Sequence, residues 1–228
     1  MATTPIDPLA EKQMSAVTVA AETVTAVEVA GWLRRGAVAI VPTETVYGLA
    51  IQPGNPDSAQ RVFELKARPR DFNLPVVIGA LEQLAQLGVD YNATARHLAR
   101  RFWPGPLTLV MGFRQDVERP SWLTGRIEVA IRFPDMQLLR DVALSAGPIL
   151  LTSANAHGTG AKMVAREAVE SLRGAVDYVI DGGVLTPTPS TIVNVRLSPA
   201  VIERTGAVTE ADLEEFIASG DVVAAQTP

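Results

Sequence analysis

The chain has 228 residues, 47 % of them hydrophobic, and a formal net charge of -5, enough apolar material for one large core or two small ones. Cysteine is absent and His97 and His157 are the two histidines, which removes disulfides and thiol nucleophiles and leaves a zinc site or a Ser-His-Asp triad short of its usual parts. The acidic balance argues against broad attraction to nucleic acid, though it leaves room for a local basic patch.

Residues 1–22 are Ala/Thr-rich with little periodicity and read as a flexible N-terminal arm. Their acids and prolines lack the basic-then-apolar pattern of a signal peptide. No run of 18 or more apolar residues follows, so no membrane-spanning helix is expected and a cytoplasmic location is the default. VEVAGWLRRG (28–37) reads as a helix closed by Gly36, and AVAIVP (37–42) as a strand buried on both faces. DSAQRVFELKA (57–67) is helical with Asp57 or Ser58 as N-cap, and LPVVIG (74–79) is a strand. Helical stretches at 80–87 and 93–101 precede strands at 107–112 and 126–133. A helix near 136–145 leads to the strand PILLTS (148–153), and a helix near 164–173 leads to strands at 176–181, 190–196 and 200–205. TEADLEEFIAS (209–219) opens with a Thr-x-x-Asp cap and forms the last helix, before a frayed tail at 220–228. Interleaved helices and strands without a linker predict a single α/β domain over 23–219, a twisted mixed sheet flanked by helices.

Polar residues gather at strand ends, where open α/β sheets bind ligands. PTET (42–45) follows one strand, TSAN (152–155) ends another and PST (189–191) begins a third; Arg132 and Arg204 sit inside strands, and KARPR (66–70) packs three cations into five residues. Singly, each reads as ordinary: a capped turn, a snorkelling arginine, a solvated loop. Together they bring hydroxyls and cations to several strand ends of an acidic chain, which points to a polyanion pocket. The P-loop pattern is absent, and GTGAKM (158–163) lacks the third glycine of a dinucleotide fingerprint.

The motifs PTETVYGLA, KARPRDFNLP, WPGPLTLV, VAIRFPD, GPILLTSANAHG, PSTIVNV and VIERTGAV occur in the order and approximate spacing of the YrdC/TsaC family. Over about residues 25–208 the chain resembles these threonylcarbamoyl-AMP synthases, in their single-domain form. The resemblance implies a YrdC-like fold that joins L-threonine, bicarbonate and ATP into threonylcarbamoyl-adenylate, with Mg2+ carried on the ATP. The product would pass to downstream tRNA threonylcarbamoyl transferase proteins for the N6-threonylcarbamoyl group of tRNA adenosine 37. Substrates that bring their own nucleophiles explain a chain without cysteine or a triad; the protein's work is positioning and charge neutralisation.

By the same resemblance, Thr43, Arg132, Ser153 and Ser190 contact threonine, with the Arg132 fork on its carboxylate. Lys66 and Arg68 are the catalytic cations, and with Asn73, Asn155 and Arg204 they hold the nucleotide. Tyr47 and Gly48 shape the turn, and Glu44 has no assigned role. Where the family places a hydroxyl late in the loop after SAN, this chain has Met163, with Lys162 or Thr159 as substitutes for that ATP contact. Two other readings stand beside this one: a paralogue acting on another small substrate, and an RNA-binding translation or ribosome-maturation factor using Arg96 and Arg100 with Phe102 and Trp103. Direct tRNA binding is expected to be weak or absent.

Overall fold

The computed structural model describes residues 16–69, 74–185 and 188–224. Eleven strands form one mixed sheet: β1 (Val17–Ala20), β2 (Ala39–Val41), β3 (Gly48–Ile51), β4 (Val76–Val77), β5 (Leu107–Met111), β6 (Val129–Arg132), β7 (Ile149–Ser153), β8 (Tyr178–Asp181), β9 (Thr191–Asn194), β10 (Ala200–Arg204) and β11 (Val222–Ala224). Their spatial order is β1-β8-β2-β3-β7-β4-β6-β5-β9-β10-β11. The described helices are α1 (Ala26–Arg34), α2 (Pro56–Lys66), α3 (Gln83–Gln86), α4 (Ala93–Phe102), α5 (Gln137–Ala146), α6 (Ala165–Ser171) and α7 (Glu214–Ala218).

The two-faced burial read from AVAIVP is what the sheet needs. Ala39 and Val41 pack with Val29 and Leu33 of α1 and Val142 of α5 on one face. Val38 and Ile40 face the other layer, with Val62 and Leu65 of α2 and Leu98 of α4. Alternating side chains of one apolar strand thus serve two helical layers.

Several expectations are corrected. Val17–Ala20, expected within the arm at residues 1–22, instead pair in parallel with Tyr178–Asp181 and form an edge of the described sheet. The tail is not frayed from residue 220, because Val222–Ala224 pair in parallel with Ala200–Ile202. The sheet therefore runs past both limits of the 23–219 domain. The N-cap of α2 is Asn55, whose side chain accepts the Ser58 N–H at 3.1 Å. Pro56 occupies the first helical position, so the helix begins ahead of Asp57. The Thr209–Asp212 cap forms, with Thr209 Oγ1 accepting the Asp212 N–H at 3.2 Å, but regular helix covers Glu214–Ala218 alone. Strand β3 went unread because the turn chemistry of PTETVY hides the antiparallel return, in which Val41 pairs with Gly48.

At the start of β9 the fully buried Thr191 acts as a backbone clasp. Its Oγ1 accepts the N–H groups of Gly206 at 2.8 Å and Val208 at 3.1 Å and donates to the Val208 carbonyl at 2.5 Å. Gly206 has no alternative, since a Cβ there would lie 2.2 Å from the Pro189 carbonyl oxygen. This clasp holds the end of β10 over Ser190.

Replacing Thr191 with Val keeps the shape and strands the buried Val208 N–H and the half-buried Gly206 N–H, at about 1–3 kcal/mol for the first and less for the second. The urea midpoint of Thr191→Val is expected to fall by the equivalent of about 2–4 kcal/mol at unchanged m-value. A loss below roughly 0.5 kcal/mol would show that water takes over the clasp.

Candidate active site

The turn between β2 and β3 is built by its own hydroxyls. Thr43 Oγ1 accepts the Thr45 and Val46 N–H groups, each at 3.0 Å, and donates to the Val46 carbonyl at 2.7 Å. Thr45 Oγ1 lies 2.9 Å from Thr43 Oγ1 and accepts from Arg132 Nη2 at 3.0 Å. With Thr43's proton given to Val46, Thr45 supplies the proton between the two hydroxyls. Glu44 Oε1 pairs with Arg132 Nη2 at 2.9 Å and accepts the Asp135 N–H at 2.8 Å. The residue left without a role in the sequence is therefore the anionic partner of the arginine on β6.

Arg132, Ser153, Ser190, Arg68, Asn155, Arg204 and Thr43 line one cavity of about 370 Å3. Its apolar wall is made by Pro75, Val77 and Leu151. Gly48 lies against that wall; a Cβ would come within 2.8 Å of Leu151 Cδ1 and 3.2 Å of the Thr152 carbonyl oxygen. The Ser153 hydroxyl makes no hydrogen bond among the described residues. Ser190 Oγ is 2.9 Å from Thr108 Oγ1. Arg204 clamps Ser190, donating from Nε at 3.1 Å and Nη2 at 2.7 Å to its carbonyl and from Nη2 to its Oγ at 3.2 Å. Burial, then the nearby Arg132 guanidinium, lowers the Arg204 pKa from its ordinary value.

Lys66 differs from the expectation. It is 2 % exposed and stands behind the cavity. Its ammonium donates to the Ser153 carbonyl, to the Asn155 carbonyl at 2.7 Å and to Asn155 Oδ1 at 3.4 Å. All three donors thus go to the strand-end loop. Burial, then Arg68, lowers its pKa to about 8. Asn155 completes the knot, with Nδ2 on the carbonyls of Ala156 at 2.9 Å and Thr159 at 2.6 Å. Arg68 follows Ala67, which closes α2 in the left-handed conformation at φ 48°. Its Nη1 donates weakly to Thr152 Oγ1 at 3.4 Å. Asn73 lies outside the described residues.

In the loop after TSAN, Thr159 lines the cavity while Lys162 and Met163 do not. Instead the Lys162 carbonyl accepts the Tyr47 N–H at 3.0 Å. The Tyr47 hydroxyl donates to the Gly183 carbonyl at 2.7 Å and accepts the Gly182 N–H at 2.9 Å, so Tyr47 shapes the surrounding wall. Thr45 and Thr108 escaped sequence reasoning. A threonine inside the otherwise apolar LTLVM was the available signal for Thr108.

The aromatics that follow the Arg96–Arg100 helix face, Phe102 and Trp103, pack against neighbouring side chains. Phe102 packs against Phe216 at 6.0 Å, and Trp103 donates its indole N–H to the Leu107 carbonyl at 2.7 Å while meeting Phe133 edge-on. Arg96 and Arg100 keep no stacking platform from that pair.

The lysine gives a pH signature. Between about pH 8 and the ordinary lysine range the unfolded chain holds a proton that folded Lys66 has lost, so stability rises with pH there. Lys66→Met lacks that increment. The gap in unfolding free energy between wild type and Lys66→Met is expected to grow in favour of wild type from pH 8 to 10, measured by urea titration at each pH. A gap independent of pH would mean that Lys66 titrates normally.

Residues 31–206 match the Sua5/YciO/YrdC family model, described as Telomere recombination. The chain is 37 % identical over 191 residues to the threonylcarbamoyl-AMP synthase of Pyrococcus abyssi, covering 82 % of this chain and 56 % of that protein. It is 33 % identical over 172 residues to the threonylcarbamoyl-AMP synthase of Pseudomonas putida strain F1, covering 74 % of this chain and 91 % of that one. The chain thus spans about half the length of the first of these relatives and most of the second. Among solved structures it resembles P. abyssi Sua5 complexed with L-threonine, at TM-score 0.78 and 33 % identity over 91 % of this chain and 62 % of that one. Escherichia coli YciO, at TM-score 0.70 and 21 % identity over 84 % of this chain and 94 % of its own, shares the fold. Motif order, sheet and sequence identity agree: the chain belongs to the Sua5/YciO/YrdC family.

Proposed function

We propose that this chain synthesises L-threonylcarbamoyladenylate from L-threonine, bicarbonate and ATP and releases pyrophosphate. The observation that carries the reading is one cavity lined together by the Arg132 fork, hydroxyls, an apolar wall and two further arginines. Arg132 suits an amino acid's carboxylate, and Pro75, Val77 and Leu151 suit the methyl of threonine. Arg68 and Arg204 suit the triphosphate, and Ser153 and Ser190 line the same space. Relatives named threonylcarbamoyl-AMP synthase support this product, and a neighbour complexed with L-threonine supports threonine as a substrate.

In this reading the threonine amine attacks the bicarbonate carbon, water leaves, and a carbamate forms. A carbamate oxygen then attacks the α-phosphorus of ATP and pyrophosphate departs. The protein supplies no nucleophile. It aligns the two reactants and offsets charge on the phosphoryl oxygens, as phosphoryl transfer requires. Magnesium enters with the triphosphate as part of the substrate. Lys66 contributes by holding the Ser153–Asn155 backbone rigid beneath the reactants. The product, a labile mixed anhydride, passes to tRNA threonylcarbamoyl transferase proteins in the cytoplasm. No described helix is long and apolar enough to cross a membrane.

Pyrophosphate release is expected to require L-threonine and bicarbonate together. Serine, lacking one methyl, is expected to be about 10- to 200-fold poorer in kcat/KM; equal release without any amino acid would reduce the protein to an ATPase and end the proposal.

Arg132→Lys keeps the charge and loses the fork, so KM for threonine is expected to rise at least tenfold while ATP binding, measured by calorimetry without threonine, stays within about twofold. Arg204→Ala is expected to weaken ATP first. The reverse pattern in these two variants would exchange the substrate subsites.

A further inference from the structure

The three strands that carry the candidate active site at one end carry a second cationic cavity at the other. Strands β5, β6 and β9 place Thr108, Arg132 and Ser190 near the first cavity. Just beyond their opposite ends lies a separate cavity of about 360 Å3 lined by Arg119, Arg126, Arg196, Asp90, Gly112 and Phe113. From Thr108 to Gly112 the strand rise separates them by roughly 13 Å.

The charges in this second cavity do not balance. Arg196 is matched by Glu128, its Nε donating to Oε2 at 2.9 Å. Asp90, the acid on the wall, lies within electrostatic reach of Arg114, but Arg114 already pairs with Asp116 at 2.7 Å, so Asp90 offsets part of the remaining cavity charge. Arg119 and Arg126 have no carboxylate partner among the described residues. Arg119 stacks over Phe113 at 4.4 Å and donates from Nη1 to the Arg126 carbonyl at 3.0 Å, which holds the two arginines together. Arg126 Nη1 is enclosed and makes no hydrogen bond among the described residues. Burial also lowers the Arg126 pKa from its ordinary value. An enclosed guanidinium N–H without an acceptor costs free energy unless an acceptor arrives.

We propose that the Arg119–Arg126–Arg196 cavity is a binding site for a phosphate-class oxyanion, distinct from the candidate active site. Arg119, Arg126 and Asp90 leave one net positive charge on the wall, which with the acceptor-less Arg126 N–H favours an oxyanion, and planar forks suit its oxygens. Phe113 keeps Arg119 in place through the face of its ring. The same chemistry is offered by free phosphate and by a phosphodiester of RNA, and the site would accept either.

Calorimetric titration with potassium phosphate, at ionic strength held constant with potassium chloride, tests the proposal. The wild-type chain is expected to bind two phosphates, one in each cavity. Arg126→Gln is expected to lose one of them and to keep pyrophosphate release within about twofold, whereas Arg204→Ala loses the other. Arg126→Lys, charged but without the fork, is expected to bind at least tenfold more weakly at this site. Arg119→Gln gives a second route should Arg126→Gln fail to fold, as judged by circular dichroism. A short single-stranded oligouridylate serves as the phosphodiester arm. Binding at least tenfold tighter than phosphate and lost in Arg126→Gln identifies RNA as the source; binding unaffected by that variant leaves free phosphate as the source. A stoichiometry and affinity for phosphate unchanged in both Arg126→Gln and Arg119→Gln would overturn the site.

Discussion

A nearly buried cation at a strand end is the constraint around which this structure is arranged. The Arg132 side chain is 10 % exposed and its partner Glu44 17 %. Taking such a pair out of water costs several kcal/mol per ion unless geometry and further hydrogen bonds offset it. The PTETVY turn supplies those bonds: Glu44 receives one nitrogen, Thr45 accepts from the same nitrogen, and Thr43 fixes both by folding its hydroxyl into the turn. Glu44 Oε2 is enclosed without a hydrogen bond among the described residues, so Oε1 does the holding, for Arg132 and for the Asp135 N–H together. One carboxylate oxygen therefore ties the β2–β3 turn to the segment after β6.

The opposite wall uses the same device with the roles reversed. There the buried group is Lys66, and what it holds is backbone: the carbonyls of Ser153 and Asn155 at the end of β7. A strand end leaves carbonyls without ladder partners, and an ammonium with three donors satisfies several at once. The flexible lysine is sequestered while the planar arginines face the cavity, which follows from the difference between a point charge and a fork. The helix that delivers Lys66 is fixed by its Asn55 cap and by Ser58, whose hydroxyl donates to the Gly36 carbonyl at 2.7 Å.

Much of this was legible in the sequence because period and position speak directly. Apolar runs gave most of the strands, and polar residues at their ends gave the lining of the cavity. What stayed hidden has common causes. Strands β1 and β11 lie at the sheet edges, where half-exposed short segments such as VTVA carry no strong pattern; pairing with a neighbour makes them strands. Glu44 looked idle because its partner is 88 residues away in sequence and meets it by tertiary folding alone. The charge of Lys66 is visible in the sequence, whereas its burial against the Ser153–Asn155 backbone is not. Thr108 reveals its use through Ser190, a contact made across two strands that pair in parallel.

The cavity also carries an electrostatic tension that bears on how it fills. Arg132 and Arg204 line the same space, and the Arg132 guanidinium disfavours the charge of Arg204. Glu44 offsets Arg132 from behind, whereas Arg204 is held by the Ser190 carbonyl and hydroxyl, dipoles without net charge. Arg204 is thus the less compensated of the two, and an anion beside it gains more than one beside Arg132 alone would. Ser190 is the hinge of this arrangement: its carbonyl and hydroxyl face Arg204, while its hydroxyl also touches Thr108 on the strand that pairs with Arg132. An anion beside Arg132 therefore also eases the charge of Arg204, through the repulsion that acts between the two guanidiniums.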